Sequence, residues 1–339
     1  CANRNKKSVT VNVATGEGQE IIRELSKTAD VLLENYKVGD LKRYGLDYEA
    51  IRGVNPRIIY CSVTGFGQTG PYATRAGYDA ILQAMGGLMS VTGHLDGEPG
   101  AGPMKVGPSI VDYMTGLNAS IGILAALHHR DIGGGEGQHI DACLFDTVIA
   151  SLSHWLQIYL LNGKLPPRRG TWGNGGMPAG VFRCTDGELM LVNGNDAQFQ
   201  RTCTVLGEPN LAEDPRFSKN NDRVANGKEI MAIFAGLFLK QPVAHWLERL
   251  EAVGVPSGPI NDFDQVFADP HVQSRGMRVC VDHPFEPALP LVRNALSFSD
   301  TPITEYRAPP LLGSHTEEIL ATIGYDSERI GALRKRGIV

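Results

Sequence analysis

Strand-like and helix-like stretches alternate through the first half of this chain, and that alternation restricts its fold more than any other feature. VTVNV (9–13), DVLLENY (30–36) and RIIYCSVTGFG (57–67) have the length and β-branched or aromatic content of strands. GQEIIRELSKTA (18–29) and DYEAIRGV (47–54) carry apolar residues at helical spacing. Strands alternating with helices join through right-handed crossovers into a parallel sheet. The pattern therefore predicts an α/β fold.

Further along, YDAILQAMGGLMSVTG reads as an apolar helix with a weak point at its Gly-Gly pair, and residues 109–134 as one long helix. The long helix is apolar nearly all round, which predicts burial in the core. GQHIDACLFDTVIASLSHWLQIYLL reads as a strand followed by a helix. Pro and Gly crowd into 162–180, the composition of a boundary or a functional loop. A smaller α/β segment follows, with FRCTDGELMLVNG as a hairpin and KEIMAIFAGLFL as a helix. GVPSGPIND (254–262) reads as a linker, and a helix pair ends the chain. These shifts predict a large domain over 1–165, a small domain over 170–253, and a return to the large domain over 254–339.

A chain of 339 residues, 42% hydrophobic and 20% charged, buries a substantial core. Its net charge of −5 gives no call for nucleic acid or an anionic membrane surface, and neither is expected as a partner. No apolar run reaches the length of about 18 residues that a membrane span needs, and no signal peptide is apparent. The six cysteines are scattered without zinc spacing and read as thiols in a reducing, cytoplasmic setting. The nine histidines form no metal motif, so no metal site is expected. The chain opens on CANRNKK, without Met and close to a strand, which reads as a fold whose first strand is missing.

Four stretches compete as sites. GFGQTG (65–70) has dinucleotide-loop spacing, but Pro71 and the residues to Gly77 interrupt the helix that would have to follow it. ENYKVGDLKR (34–43) ends a strand with Asn35 and Tyr36 and then offers Lys37, Lys42 and Arg43. Basic groups there suit phosphates, or form a solvated turn. GNGGMPAG (173–180) suits a mobile lid or a plain linker. Asp112, in KVGPSIVDYMTG (105–116), follows an apolar pair and has small neighbours, Gly107, Ser109 and Gly116. It suits a carboxylate approached by a large substrate, or a helix cap; Asp79, Asp141 and Asp146 have similar claims. The residues by themselves point to a metal-free α/β enzyme and do not select its chemistry.

A long ordered series of stretches resembles the class III CoA-transferases, the family of formyl-CoA transferase and carnitine CoA-transferase. It runs through NRNKKSVTVN, ADVLLENYKVGDLKRYGLDYEAIRGVNPRIIYCSVTGFGQTGP, RAGYDAILQAMGGLMSVTG, VDYMTGLNASIGILAALHHRDIGGGEGQHIDACLFD, GVPSGPIND and APPLLGSHTEEIL. It most resembles members that use succinyl-CoA and a dicarboxylate acceptor. Family members carry a further N-terminal segment. The resemblance implies a Rossmann-like large domain, a small α/β domain and an interlocked homodimer. It implies Asp112 as the nucleophile, forming an aspartyl anhydride and then an aspartyl-CoA thioester. CoA, a substrate rather than a tightly bound cofactor, is expected at Val11, Ala14, Asn35, Tyr36, Lys37, Arg43, Arg75, Tyr78 and Asp79. Gly173, Asn174, Gly175 and Gly176 match the family's shielding loop in part. Arg168, Arg169 and Arg183 are candidates to hold a distal carboxylate. Tyr78 stands where the related α-methylacyl-CoA racemases have a catalytic His, which disfavours that alternative; Asp196 stands where they have a Glu. A non-catalytic acyl-CoA binder is the other alternative.

Overall fold

A computed structural model describes residues 2–173 and 175–339. The chain divides into two compact units. The first comprises Cys1–Ser90, Met104–Pro166 and Gln273–Val339; the second comprises Val91–Pro103 and Pro167–Val272. The composition shifts did not indicate the excursion at Val91–Pro103, nor that the second unit continues past Gly254 to Val272.

In the first unit, α1 (Gly16–Ser26), β1 (Val31–Glu34), α2 (Tyr48–Val54) and β2 (Ile59–Thr64) follow the expected alternation. Thr15 starts α1 by accepting a hydrogen bond from the Gly18 amide. The apolar helix breaks at Gly86–Gly87 into α3 (Asp79–Met85) and α4 (Leu88–Val91). Gly87 has a φ of 90°, a backbone conformation that favours glycine. The long helix α5 (Ile110–His129) ends in a π-helical turn, Arg130–Gly134. Then come β3 (Gln138–Cys143), α6 (Leu144–Ser151) and α7 (His154–Asn162). The three strands form a parallel sheet in the order β1-β2-β3, with Ile59–Ser62 of the central strand buried.

Two expectations fail in this unit. Residues 9–13 pair with no strand. Ser8 and Asn12 instead bond the C-terminal segment, through His315 N–H to Ser8 O and Asn12 N–H to Ile338 O. Val11 packs in the cluster of Ile21, Leu320 and Ile330 beside that segment, while Val13 packs in a separate cluster with Leu46, Ile51, Ile58 and Tyr60.

The long helix is not buried all round. Val111, Thr115, Ala119 and Ala126 form its buried stripe, while Tyr113, Leu117, Ile121 and Leu124 lie on the opposite side, each over 60% exposed. Small residues face the sheet because the helix packs closely against β2 and β3. By length and apolar content alone, Ile110–Gly134 is also long enough to cross a membrane, contrary to the sequence expectation, with a mean hydropathy of 1.4. Its buried stripe packs within the first unit, Val111 in a cluster with Leu82, Leu144 and Val148, and Ala119 in one with Cys61 and Ala142.

The second unit holds an antiparallel sheet, β4 (Ala179–Arg183), β5 (Glu188–Val192) and β6 (Ser257–Pro259). β6 lies within the stretch read as a linker. It is an edge strand, where proline is tolerated because one side of the backbone needs no partner. The helices α8 (Asp196–Val205), α9 (Asn220–Ala225), α10 (Gly227–Phe238), α11 (Val243–Ala252), α12 (Phe263–Ala268) and α13 (Pro270–Ser274) complete the run. An aromatic core joins Phe182, Phe199, Phe234, Phe238 and Trp246. The chain returns to the first unit with a hairpin, β7 (Arg278–His283) and β8 (Glu286–Val292), and ends in α14 (Thr316–Ala321) and α15 (Ser327–Lys335).

Candidate active site

In a parallel sheet all strands end at the same edge, and ligands of such sheets bind beyond it. Here that edge opens into a cleft of about 580 Å³. Asn35, Tyr36 and Lys37 reach it from the end of β1, Val63–Gly65 from β2, Arg75–Asp79 from the following loop, Leu144 from α6, and Asp112 and Gly116 from α5. Seven expected site residues are thus brought together: Asn35, Tyr36, Lys37, Arg75, Tyr78, Asp79 and Asp112. Val11, Ala14 and Arg43 do not line the cleft. Arg43 lies over the Tyr44 ring at 4.6 Å and beside Asp40 at 3.7 Å.

A close backbone crossing shapes the floor. A Cβ on Gly65 would stand 2.7 Å from the Gly77 Cα, so only paired glycines let the 73–79 segment lie against the end of β2. The G-x-G-x-x-G turn binds internally. The Gly67 amide donates to Thr64 Oγ1 at 3.0 Å, and the Gln68 amide to Asp141 Oδ2 at 2.7 Å. No helix opens after it. The amides a dinucleotide phosphate would use are therefore engaged or unaligned.

Asp112 occupies the third position of α5. Its N-cap residue, Ser109, makes no side-chain cap bond. The cap comes from α3: Asp79 Oδ2 accepts from the Val111 amide at 2.8 Å and the Asp112 amide at 3.3 Å. These bonds leave the Asp112 carboxylate open to the cleft. Burial, and then the negative charge of Asp79, push the Asp112 carboxyl above the usual carboxylate range.

Lys37 and Arg75 supply positive charge. Arg75 lies over the rings of Tyr72 at 4.5 Å and Phe66 at 5.4 Å. Among the described residues neither cation is ion-paired, so both are available to an anionic ligand. No histidine is among the residues lining the cleft.

The remaining candidates lie in the second unit. Arg168 pairs with Asp96. Gly176 is required by space, since a Cβ there would meet the Asn193 carbonyl oxygen at 2.0 Å. Asn220 donates to the Gly175 carbonyl. Asn174 lies outside the described residues. Asp196 forms an ion pair at 2.8 Å with Arg223, which holds its carboxyl below the usual range. Burial raises the thiols of Cys184 and Cys203 to about 11 and about 12, which leaves them un-ionised and poorly nucleophilic. Among the described residues, no group of three His, Cys, Asp or Glu side chains is placed to hold a metal ion.

The model of CoA-transferase family III matches residues 1–316. The chain belongs to this family. The transferase is 44% identical over 321 residues to a succinate–glutarate CoA-transferase of Agrobacterium fabrum, covering 95% of this chain and 79% of that protein. It is 40% identical over 338 residues to the succinyl-CoA:glutarate CoA-transferase of Homo sapiens, covering 99% and 76%. Among solved structures it matches a CAIB/BAIF family protein from Brucella suis at 41% identity, with a TM-score of 0.84, covering 95% of this chain and 82% of that one. The mixed α/β architecture of the transferase is thus shared with the CaiB/BaiF proteins.

One consequence of the geometry is measurable as a pH profile. A carboxylate nucleophile acts only when ionised. With Asp112 as the nucleophile proposed below, its raised carboxyl places the expected acid limb of kcat/KM above the usual carboxylate range. Asp79→Asn removes a negative neighbour, so the limb is expected to move to lower pH. A limb that stays in place would show that Asp79 does not act on Asp112 electrostatically.

Proposed function

We propose that this CoA-transferase moves CoA from succinyl-CoA to a dicarboxylic acid of the glutarate class, with Asp112 as the covalent nucleophile. The observation that carries the reading is Asp112 itself, a proton-attracting carboxylate in a cleft with two unpaired cations at the strand ends. The named activities of the relatives supply the acids.

The chemistry balances without a proton donor or a redox group. The Asp112 carboxylate attacks the thioester carbonyl, the C–S bond breaks, and CoA leaves as thiolate, giving a mixed anhydride. The thiolate attacks the aspartyl carbon of the anhydride and releases succinate, leaving an aspartyl-CoA thioester. The acceptor carboxylate attacks that thioester and again forms an anhydride. The thiolate then takes the acceptor's acyl group and regenerates Asp112. Lys37 and Arg75 would hold the CoA phosphates, with Asn35, Tyr36 and Tyr78 beside them. Gly116 lies one helical turn beyond Asp112, and open space around it leaves room for the pantetheine arm. The test is to supply succinyl-CoA and glutarate together. Equal amounts of glutaryl-CoA and succinate are expected. CoA ester hydrolysis alone, or no turnover, would overturn the reading.

We also propose a homodimer in the cytoplasm, interlocked as the family resemblance implies. The support is the apolar ridge of Tyr113, Leu117, Ile121 and Leu124 on α5, and for the compartment the scattered free thiols. Leu117→Glu is expected to give monomer mass by light scattering. An unchanged mass in both proteins would remove this ridge from any interface.

A further inference from the structure

Gln83 lies in α3, one turn after Asp79, and is fully buried. A buried amide side chain persists only where its polar atoms find partners, and both of these do. Gln83 Nε2 donates to Asp79 Oδ1 at 2.6 Å, and Gln83 Oε1 accepts from the Val106 amide at 2.9 Å. The other Asp79 oxygen receives the amides of Val111 and Asp112. A continuous chain of hydrogen bonds therefore runs from the loop before α5, through Gln83 and Asp79, to the backbone of Asp112.

This chain does what a local N-cap does in most helices. Ser109 makes no side-chain cap bond. The start of α5, and with it the direction of the Asp112 side chain, depends on how the Asp79 carboxylate is turned. Gln83 holds that carboxylate by one oxygen, which aims the other at the helix. It also holds the approach loop at Val106. We propose that Gln83 is a positioning residue for the nucleophile, orienting Asp79 so that α5 presents Asp112 to the acyl-CoA. This rests on the proposed role of Asp112.

The charged and titratable groups around this chain are Asp112 on α5, Arg75 and Tyr78 in the loop before α3, and Lys105, whose Nζ donates to the carbonyls of Val106 and Gly107. None of them supplies the bond that Gln83 gives Asp79. Methionine has the bulk of glutamine and neither donates nor accepts in this way. Glutamate accepts from Val106 in either protonation state, but donates to Asp79 only when protonated.

The experiment compares wild type, Gln83→Met and Gln83→Glu by turnover with succinyl-CoA and glutarate, and by amide exchange without substrate. For Gln83→Met, kcat is expected to fall about a hundredfold, the scale of an ångström misplacement, with KM for succinyl-CoA nearly unchanged. The Val111 and Asp112 amides are expected to lose protection while β2 keeps its own. For Gln83→Glu, the rate is expected near that of wild type at the acid end of the active range. It should fall as pH rises and the introduced carboxyl ionises against Asp79, where wild type stays level. A wild-type kcat with protected amides in Gln83→Met, or a wild-type pH profile in Gln83→Glu, would overturn the proposal. If Gln83→Met does not fold, the Gln83→Glu profile decides. A wild-type protein that forms no hydroxylamine-sensitive adduct at Asp112 would fail the parent reading instead, and the amide exchange would still judge the positioning.

Discussion

Asp112→Asn is expected to lower the rate of CoA transfer by at least about a thousandfold, the scale on which removing a covalent nucleophile acts. The amide keeps the size and most of the shape of the carboxylate but cannot open the thioester. Intact mass after mixing with succinyl-CoA is expected to show a hydroxylamine-sensitive adduct in wild type and none in the variant. Stability should respond in the opposite sense or hardly at all. The folded-state carboxyl is raised, so the ionised group costs stability above its folded pKa, and that cost disappears as pH falls below the unfolded value. At neutral pH, Asn removes the cost and also removes a negative charge near a helix N-terminus, which acts the other way. The melting temperature is therefore expected to stay within a few degrees of wild type. An inactive variant that melts far lower would report misfolding. A fully active one would move the nucleophile elsewhere.

The parallel sheet was legible because local pattern and tertiary role coincide there. β2 is buried along Ile59–Ser62, so its apolar run needs no second interpretation. The break at Gly86–Gly87 was legible for a similar reason, since a backbone requirement shows directly in residue type. Residues 9–13 have the same β-branched character, but a strand exists only through its partner, and here the partner is the C-terminal segment some three hundred residues away. Helix α5 shows the limit of composition. Apolar residues run all round it, and only the structure separates the buried stripe of Val111, Thr115, Ala119 and Ala126 from the exposed ridge of Tyr113, Leu117, Ile121 and Leu124. β6 was hidden by its own Gly and Pro residues, which an edge strand tolerates.

The site divides along the same line. Asp112 stood out because a charged residue at the end of an apolar run with small neighbours is unusual by itself. The role of Asp79 did not stand out. Its spacing from Gln83 marks an i,i+4 pair on one helix, but nothing local links it to amides more than thirty residues later. Side-chain caps supplied from another helix are tertiary contacts, and sequence spacing does not encode them. The small-domain arginines show the same limit from the other side. Charge alone nominated Arg168, which the structure pairs with Asp96, while the fully buried Arg223 drew no notice in the sequence.

Arg223→Met is expected to destabilise the second unit by about 2–6 kcal/mol, the cost of leaving two interior carbonyls without a donor at about 1–3 kcal/mol each. The Arg223 side chain has no exposed surface. Its Nε donates to the Met177 carbonyl at 2.5 Å, one terminal nitrogen donates to the Phe217 carbonyl at 2.8 Å, and the other to Asp196 at 2.8 Å. The guanidinium also stacks on Phe199 at 4.3 Å. Methionine recovers part of the ring contact and none of the donors, and each carbonyl left unpaired in the interior costs about 1–3 kcal/mol. Asp196 adds a pH signature. Arg223 lowers its folded-state pKa, so the pair stabilises the fold above the unfolded carboxyl value, and that contribution is lost as pH falls through the folded value. The variant should therefore lose more stability at neutral pH than in acid, read as a gap between the two urea midpoints that narrows on acidification. A gap constant with pH would mean that the two carbonyls, and not Asp196, account for the effect. A total native stability of about 5–15 kcal/mol makes the expected loss a large fraction of what holds such a domain. Asp196, paired with this buried arginine, then contributes to the stability of the second unit.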